Sequence, residues 1–351
     1  MQPVYLNDAE IRNQLFPFAQ IRHVADMRVG ILTIREKWEA LLGTAVQLIS
    51  DTSALPEGAQ VFAANILPSR AFVASLRSSP DNPDWSTVKV VQYPWHIFQL
   101  NDWAIREDFE YLRSRPGAGS IPVGGTAVHL INPDQIFIEP GAKLQHCILN
   151  ATEGPIYIGR DAHVMEGCLI RGPFALCENA TMKMGSKVYG ATTIGPRCVM
   201  GGEIKNSVVF GNSNKAHDGY LGDAVLGEWC NLGAGTSNSN MKNNASDVRV
   251  WHPSSDTHLA AGMKCGLLMG DYSRAAINTS FYTGTVVGIC VNVFGDGIPP
   301  KFIPSFTWGT RGLSKYEFEK ALSDIQAWKK LKHQSLTDDE INRLRSIFEL
   351  S

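Results

Sequence analysis

From Ile158 onward a large apolar residue returns every six positions: Ile158, Val164, Ile170, Leu176, Met182, Val188, Ile194 and Met200. Four positions after each of the first seven stands Ala162, Cys168, Phe174, Ala180, Ser186, Thr192 or Cys198, nearly all of them small. An amphipathic helix repeats near 3.6 residues and cannot hold a step of six. One large and one small inward residue per six is the pattern of a parallel β-helix, in which short strands form the walls and stacked coils bury a continuous apolar column. The step recurs at Tyr220, Leu226 and Leu232, and again at Met269, Ala275, Phe281, Val287 and Val293, which predicts a coil over 136–312.

Before the coil the pattern alternates. VYLND (4–8), AVQLISD (45–51), AQVFAANI (59–66) and VKVVQYP (88–94) read as strands, the last three as buried ones. Residues 23–43 carry Val24, Met27, Ile31, Ile34, Trp38 and Leu41 at helical spacing and end on a glycine stop. SRAFVASLRS and NDWAIREDFEYLRS (101–114) read as helices opening on Ser69 and Asn101 caps. Strand–helix alternation predicts a small α/β domain over 1–115 with a largely parallel sheet. Residues 116–135 open on a Gly- and Pro-rich run and read as a linker. The tail, 313–351, reads as helical, with capping boxes at Ser314/Glu317 and Thr337/Glu340. Such a tail is expected to pack on the coil or cap its open end.

Composition narrows the function. A net charge of −2 over 351 residues gives no basic surface for nucleic acid and no polybasic membrane patch. Neither a secretory leader nor an uninterrupted apolar span is visible, so a cytoplasmic location is expected. The seven cysteines, all between Cys147 and Cys290, include no CxxC pair, which argues against a disulfide framework or a zinc site and predicts reduced, half-buried small residues. No metal ligand set is expected in the coil.

The chemistry concentrates between 187 and 240. Here stand Glu203-Ile204-Lys205, then His217-Asp218-Gly219-Tyr220-Leu221-Gly222-Asp223, then Asn231-Leu232-Gly233-Ala234-Gly235-Thr236, and then Asn240. An Asp-Gly turn with a neighbouring histidine is also what an ordinary coil corner looks like, and asparagines stack as amide ladders in many solenoids. The spaced combination nonetheless resembles the acetyltransferase domain of the bifunctional N-acetylglucosamine-1-phosphate uridyltransferase/glucosamine-1-phosphate N-acetyltransferase family, with Glu203, His217 and Asn231 separated without insertion.

That resemblance implies a left-handed β-helix behind a nucleotidyltransferase-like, Rossmann-like domain, and a homotrimer with sites between neighbouring coils. It implies an acetyl-CoA-dependent N-acetyltransferase acting on an amino-sugar phosphate or sugar nucleotide. His217 matches the general base, and imidazole is mostly neutral at cytoplasmic pH. Lys205 matches a phosphate-holding lysine, with Lys187 and Glu203 on the same segment. Tyr220, Asn231 and Asn240 match sugar- or acetyl-contacting positions, and Ala234 matches a position beside coenzyme A. The chain departs from the pattern in three places. Lys187 stands where the family has an arginine, Ser246 lies near a family lysine, and no glycine precedes Gly30 where a phosphate loop would be. The first domain is also about half the usual length, so Arg12 and Arg22 stand as the candidate phosphate binders there, with Mg2+ a possible cofactor if that domain is active. Two alternatives follow: nucleotidyl transfer by the first domain, or a non-catalytic, trimeric sugar-nucleotide-binding scaffold.

Overall fold

The protein is described by a computed structural model covering residues 3–51, 55, 58–115, 127–310 and 314–351. Strands β1 (Val4–Asn7), β2 (Gln47–Ile49) and β3 (Gln60–Ala63) form a parallel sheet with β1 in the middle. Helix α1 (Ile34–Leu42) starts at a Thr33–Glu36 capping box and stops at Gly43, whose φ of 75° is left-handed. It is therefore shorter than the helical spacing over 23–43 predicts. Val24–Asp26 make a single 3-10 turn, and Met27, Val29 and Ile31 are buried from an irregular segment packed against the rest of the domain. Tertiary burial reproduces the spacing there without a helix.

Helix α2 (Arg70–Ser78) is capped by Ser69, as expected. Helices α3 (His96–Gln99) and α4 (Asn101–Ser114) follow, and Asn101 is no cap. Its buried amide accepts from the Gly30 N–H at 2.8 Å and the Thr193 hydroxyl at 3.1 Å, and donates to the Ala191 carbonyl at 2.9 Å, tying the helix to the coil. Lys89–Val90 is an exposed strand pairing antiparallel with Ile66–Leu67, and β2 is an edge, so neither is the buried strand predicted.

Residues 116–126 of the predicted linker lie outside the described residues. The next stretch already belongs to the coil, whose first strand is His129–Ile131. Three walls follow. The first has nine strands from Ile136–Ile138 to Phe302–Ile303, the second ten, and the third six, ending at Tyr220–Gly222. Every seam is parallel except the last of the second wall, where Ser314–Lys315 pairs antiparallel with Thr307–Trp308, and Val164, Met182 and Met200 stack in register, three six-residue steps apart. The inward residues form one continuous core from Ile136 to Ile303. After Met200 the step shortens: Lys215 aligns with Met200, and Leu221 with Ile204. Tyr220, which the six-step places inward, therefore faces out and Leu221 fills the core. All seven cysteines are free and fully buried rather than half-buried.

One corner is turned by left-handed residues at every coil, among them Asp161, Asn179, Arg197, Asn212, Trp229, Tyr272, Cys290 and Phe306. Asn and Asp tolerate this conformation, whereas an aromatic there costs on the order of 1–2 kcal/mol. The aromatic corners are those covered by the tail: Trp229, Tyr272 and Phe306 pack with α5 (Phe318–Lys330) and α6 (Asp338–Leu350). Burial offsets the strain. The Thr337–Glu340 box is formed, but Ser314 lies in a strand pairing with Thr307–Trp308 and α5 begins without a side-chain cap.

The N-terminal domain lies along the first wall, burying Phe18 and Trp38 in one cluster with Val208, Phe210, Val225 and Leu268. A hairpin, Arg249–His252 with Thr257–Ala260, interrupts the coil and joins this contact. His252 reaches the Gln14 carbonyl at 3.1 Å, and Gln99 donates to the Ala261 carbonyl at 2.8 Å. The segment that diverges after Asn240 thus includes a clasp on the first domain.

Candidate active site

The third wall carries most of the candidate residues, and its last strand is capped by Ser237 and Asn238 of the next coil. Lys187, Glu203 and Tyr220 lie side by side in register, as do Tyr189, Lys205 and Gly222. Val188, Ile204 and Leu221 between them point inward, because successive strand residues face opposite ways. Tyr189 donates to the Glu203 carboxylate at 2.6 Å, and this bond pushes its phenol up to about 12. Lys187 lies 3.8 Å from Glu203, and the Lys205 ammonium sits 5.6 Å from the Tyr189 ring centre.

The Tyr220 ring folds across Gly222, where a Cβ would come within 2.2 Å of the phenol oxygen. Only glycine permits that pose. The phenol accepts from the Asn240 amide at 3.0 Å, and the same amide donates to Asp223. Asp223 is buried and accepts a second bond from Asn206 at 2.6 Å. Burial and then the Asp223 charge hold the Tyr220 phenol well above its ordinary range, so it stays protonated and is available as a donor.

His217 occupies the turn between Asn214–Lys215 and Tyr220–Gly222, exposed, with no side-chain bond among the described residues. Ala234 lies one coil further on: the Gly235 N–H donates to the Asp218 carbonyl at 3.0 Å, and the Asn278 N–H to the Ala234 carbonyl at 2.7 Å. Exposed Met184 and Ile277 lie on the same side of the coil. The result is a corner with a free imidazole, a small residue above it and apolar side chains along it.

Asn231 sits around that corner on the second wall, in register between Asn214 and Arg274. The tail flanks it: Lys332 donates to Asn214 Oδ1 at 3.2 Å, and Trp328 stacks 5.1 Å from the Arg274 guanidinium. Lys187, Glu203, Lys205, Tyr220 and Asn240 thus share one wall, His217 and Ala234 its edge, and Asn231 the neighbouring wall. Tyr189, Asn206 and Lys215 were not singled out in the sequence. Tyr189 was findable, being two residues from Lys187 and therefore on the same face.

Arg12 and Arg22 are engaged elsewhere. Arg12 pairs with Asp8 at 3.0 Å, a buried carboxylate that also holds Ser50 and the Val24 N–H. Arg22 reaches into the coil, bonding Asp271 at 2.8 and 3.0 Å and the Phe18 carbonyl at 3.1 Å, and lying over Phe210. Burial opposes its charge most strongly, but Asp271 and Glu228 together outweigh it and hold the guanidinium above its ordinary value. With its side chain only 11% exposed, Arg22 is a domain clasp instead of the phosphate binder expected. A cleft of about 660 Å³ at the C-terminal ends of β1 and β3 is lined by Asn7, Glu10, Gln14, Asn65 and Gln92, and by neither arginine. One carboxylate and no cation fit Mg2+-triphosphate poorly. Among the described residues no cluster of His, Cys, Asp or Glu could hold a metal ion.

The chain thus joins an α/β domain to a parallel β-helix that carries an exposed histidine at a coil corner. Residues 4–53 match the family model for sugar nucleotidyl transferases. The chain is 34% identical over 134 residues to the bifunctional protein GlmU of Rippkaea orientalis, covering 32% of this chain and 30% of that protein. To the GlmU of Azoarcus sp. it is 26% identical over 216 residues, covering 49% of this chain and 46% of that one. To a bifunctional sugar-1-phosphate nucleotidylyltransferase/acetyltransferase of Sulfurisphaera tokodaii it is 24% identical over 228 residues, covering 59% and 47%. The chain therefore spans less than half the length of each of these relatives, and the matches support the family resemblance carried by the motif. The acetyltransferase domain of PglB from Neisseria gonorrhoeae FA1090 aligns with 90% of this chain and 100% of its own at 11% identity, but with a TM-score of 0.13, a likeness too slight to bear on function.

Proposed function

We propose that the coil is an acyltransferase that moves an acetyl group from acetyl-CoA to the amine of an amino-sugar phosphate or sugar nucleotide. The observation that carries this reading is the free, exposed His217 imidazole on the edge next to Tyr220, Asn240 and Lys205. The amine nitrogen attacks the thioester carbonyl, its proton passes to His217, and the carbon–sulfur bond breaks to release the thiol. Tyr220 and Asn240 orient the acceptor, and Lys205 holds its phosphate as a point charge.

A cleft of about 590 Å³ beside Asn240 suits the donor, with Ser237, Ser280 and Phe281 along it and Lys242 and Lys301 at its rim. Lys242 stands 3.4 Å from Ser246, supplying the cation that the family places near that serine. Partial burial and then the Lys242 charge lower the Lys301 ammonium from its usual range, a repulsion that an anionic phosphate would relieve. His217 and Ala234 face outward, which suits a homotrimer whose neighbouring coil completes the site. Among the described residues no helix is long and apolar enough to cross a membrane, and a cytoplasmic location follows from the chemistry of both substrates.

The test is turnover of acetyl-CoA by the full chain with glucosamine-1-phosphate and related amino-sugar phosphates. A fall of about a hundredfold or more in His217→Ala supports the base; unchanged turnover removes it. The family-model match over 4–53 favours a second reading, nucleotide handling by the first domain. Its amide-lined cleft suits binding of the uncharged part of a sugar nucleotide better than triphosphate chemistry. Pyrophosphate release from UTP with a sugar phosphate and Mg2+ would overturn that preference.

A further inference from the structure

Lys215 occupies a rung of the apolar column inside the coil. It aligns with Met200 on one side and neighbours the Leu232 rung on the other, and it is 1% exposed. Nothing in the six-residue pattern requires a charge here, and an ammonium removed from water is costly unless its three donors are all satisfied. They are satisfied by backbone alone: the Gly201 carbonyl at 3.1 Å, the His217 carbonyl at 3.0 Å and the Gly219 carbonyl at 2.7 Å. Gly202 leaves the necessary room, since a Cβ there would lie 3.0 Å from the ammonium. Two of the three acceptors belong to the turn that carries the candidate base. Drawing those carbonyls inward fixes the turn from beneath and leaves the imidazole outward.

We propose that Lys215 is a positioning residue, an ammonium inside the coil that tethers the 217–219 turn and so aims His217. The proposal builds on the acyltransferase reading, but the tether itself can be measured without activity. Two amides report on the turn: Tyr220 N–H, bonded to Ser237 Oγ at 3.0 Å, and Gly235 N–H, bonded to the Asp218 carbonyl.

The experiment is Lys215→Met in the full chain, with Lys215→Leu as a second variant matching the Leu232 rung. Hydrogen exchange at Tyr220 and Gly235 is expected to accelerate about tenfold or more while the Thr181 and Lys183 amides, bonded within the stack, keep their protection. Acetyl transfer is expected to lose about ten- to a hundredfold in kcat with the KM for acetyl-CoA little changed, the signature of a misaimed base rather than lost binding. Unchanged exchange at both amides, or accelerated exchange with unchanged kcat, overturns the proposal. Failure of both variants to fold also overturns it, since the ammonium would then serve the coil itself. Should His217→Ala retain full turnover, the base assignment fails while the exchange result still decides whether the tether exists.

Discussion

Replacing Asp271 with asparagine tests how the two domains are held together. Asp271 is fully buried and takes both terminal nitrogens of Arg22, at 2.8 and 3.0 Å, together with the Glu228 N–H. Asparagine keeps the volume and one acceptor oxygen but removes the charge and turns an NH2 group toward the guanidinium. One charge-assisted bond is lost, about 1.5–3 kcal/mol, and the buried cation keeps only Glu228, at 3.7 Å, as a carboxylate partner, which brings the total up to about 3–5 kcal/mol. For a chain of this size that lowers the unfolding midpoint by roughly 4–7 °C. The assay is calorimetry together with limited proteolysis. The N-terminal domain should become cleavable before the coil melts, because Val208, Phe210 and Val225 lose their cover. Being buried, the pair should respond little to added salt. The double variant Arg22→Met with Asp271→Leu should recover most of the loss, since apolar residues of similar volume replace a buried pair at little cost. A midpoint shift below about 2 °C for Asp271→Asn would refute the clasp.

Three further outcomes are expected. Lys205→Met should raise the KM for the sugar phosphate about ten- to a hundredfold, with acetyl-CoA binding by calorimetry unaffected, because it removes a single point charge facing the acceptor. Gly222→Ala should displace the Tyr220 ring, whose oxygen a Cβ would approach to 2.2 Å, and lower turnover while circular dichroism stays that of the parent. The Lys215 ammonium, lowered by burial to about 8 from its ordinary 10.5, gives a pH signature. Below 8 it is charged in both states, and its burial costs stability. Between 8 and 10.5 the native chain has lost the proton while the unfolded chain keeps it, so stability rises with pH by about 3 kcal/mol. Denaturant titrations of the parent against Lys215→Met should show that rise only in the parent.

The six-residue step made the coil legible because every wall repeats one inward position, as Val164, Met182 and Met200 do. It misled at Tyr220, because the coil shortens after Met200 and a fixed step cannot register a shortened turn. The helix expected over 23–43 forms only at Ile34–Leu42 for a different reason: Val24, Met27 and Ile31 are buried by the fold around them, and burial alone mimics helical spacing. In the site, the spacing of Glu203, His217 and Asn231 follows successive coils, Glu203 pairing with Tyr220 and Asn231 with Asn214. What it could not carry was the sharing of Asn240 between Tyr220 and Asp223, which depends on strand register. Nor could it show Arg22 reaching Asp271 across 249 residues of chain. Such long-range partners leave no local pattern.

The central claim is that the corner bearing His217 receives an acyl donor and an amine together. A crystal of the full chain soaked with acetyl-CoA and an amino-sugar phosphate decides it. The account predicts the phosphate on Lys205, the pantetheine passing Ala234, and the amine within about 3.5 Å of both the thioester carbon and the His217 ring. Coenzyme A bound away from this corner, or an acceptor seated out of reach of the imidazole, would contradict it.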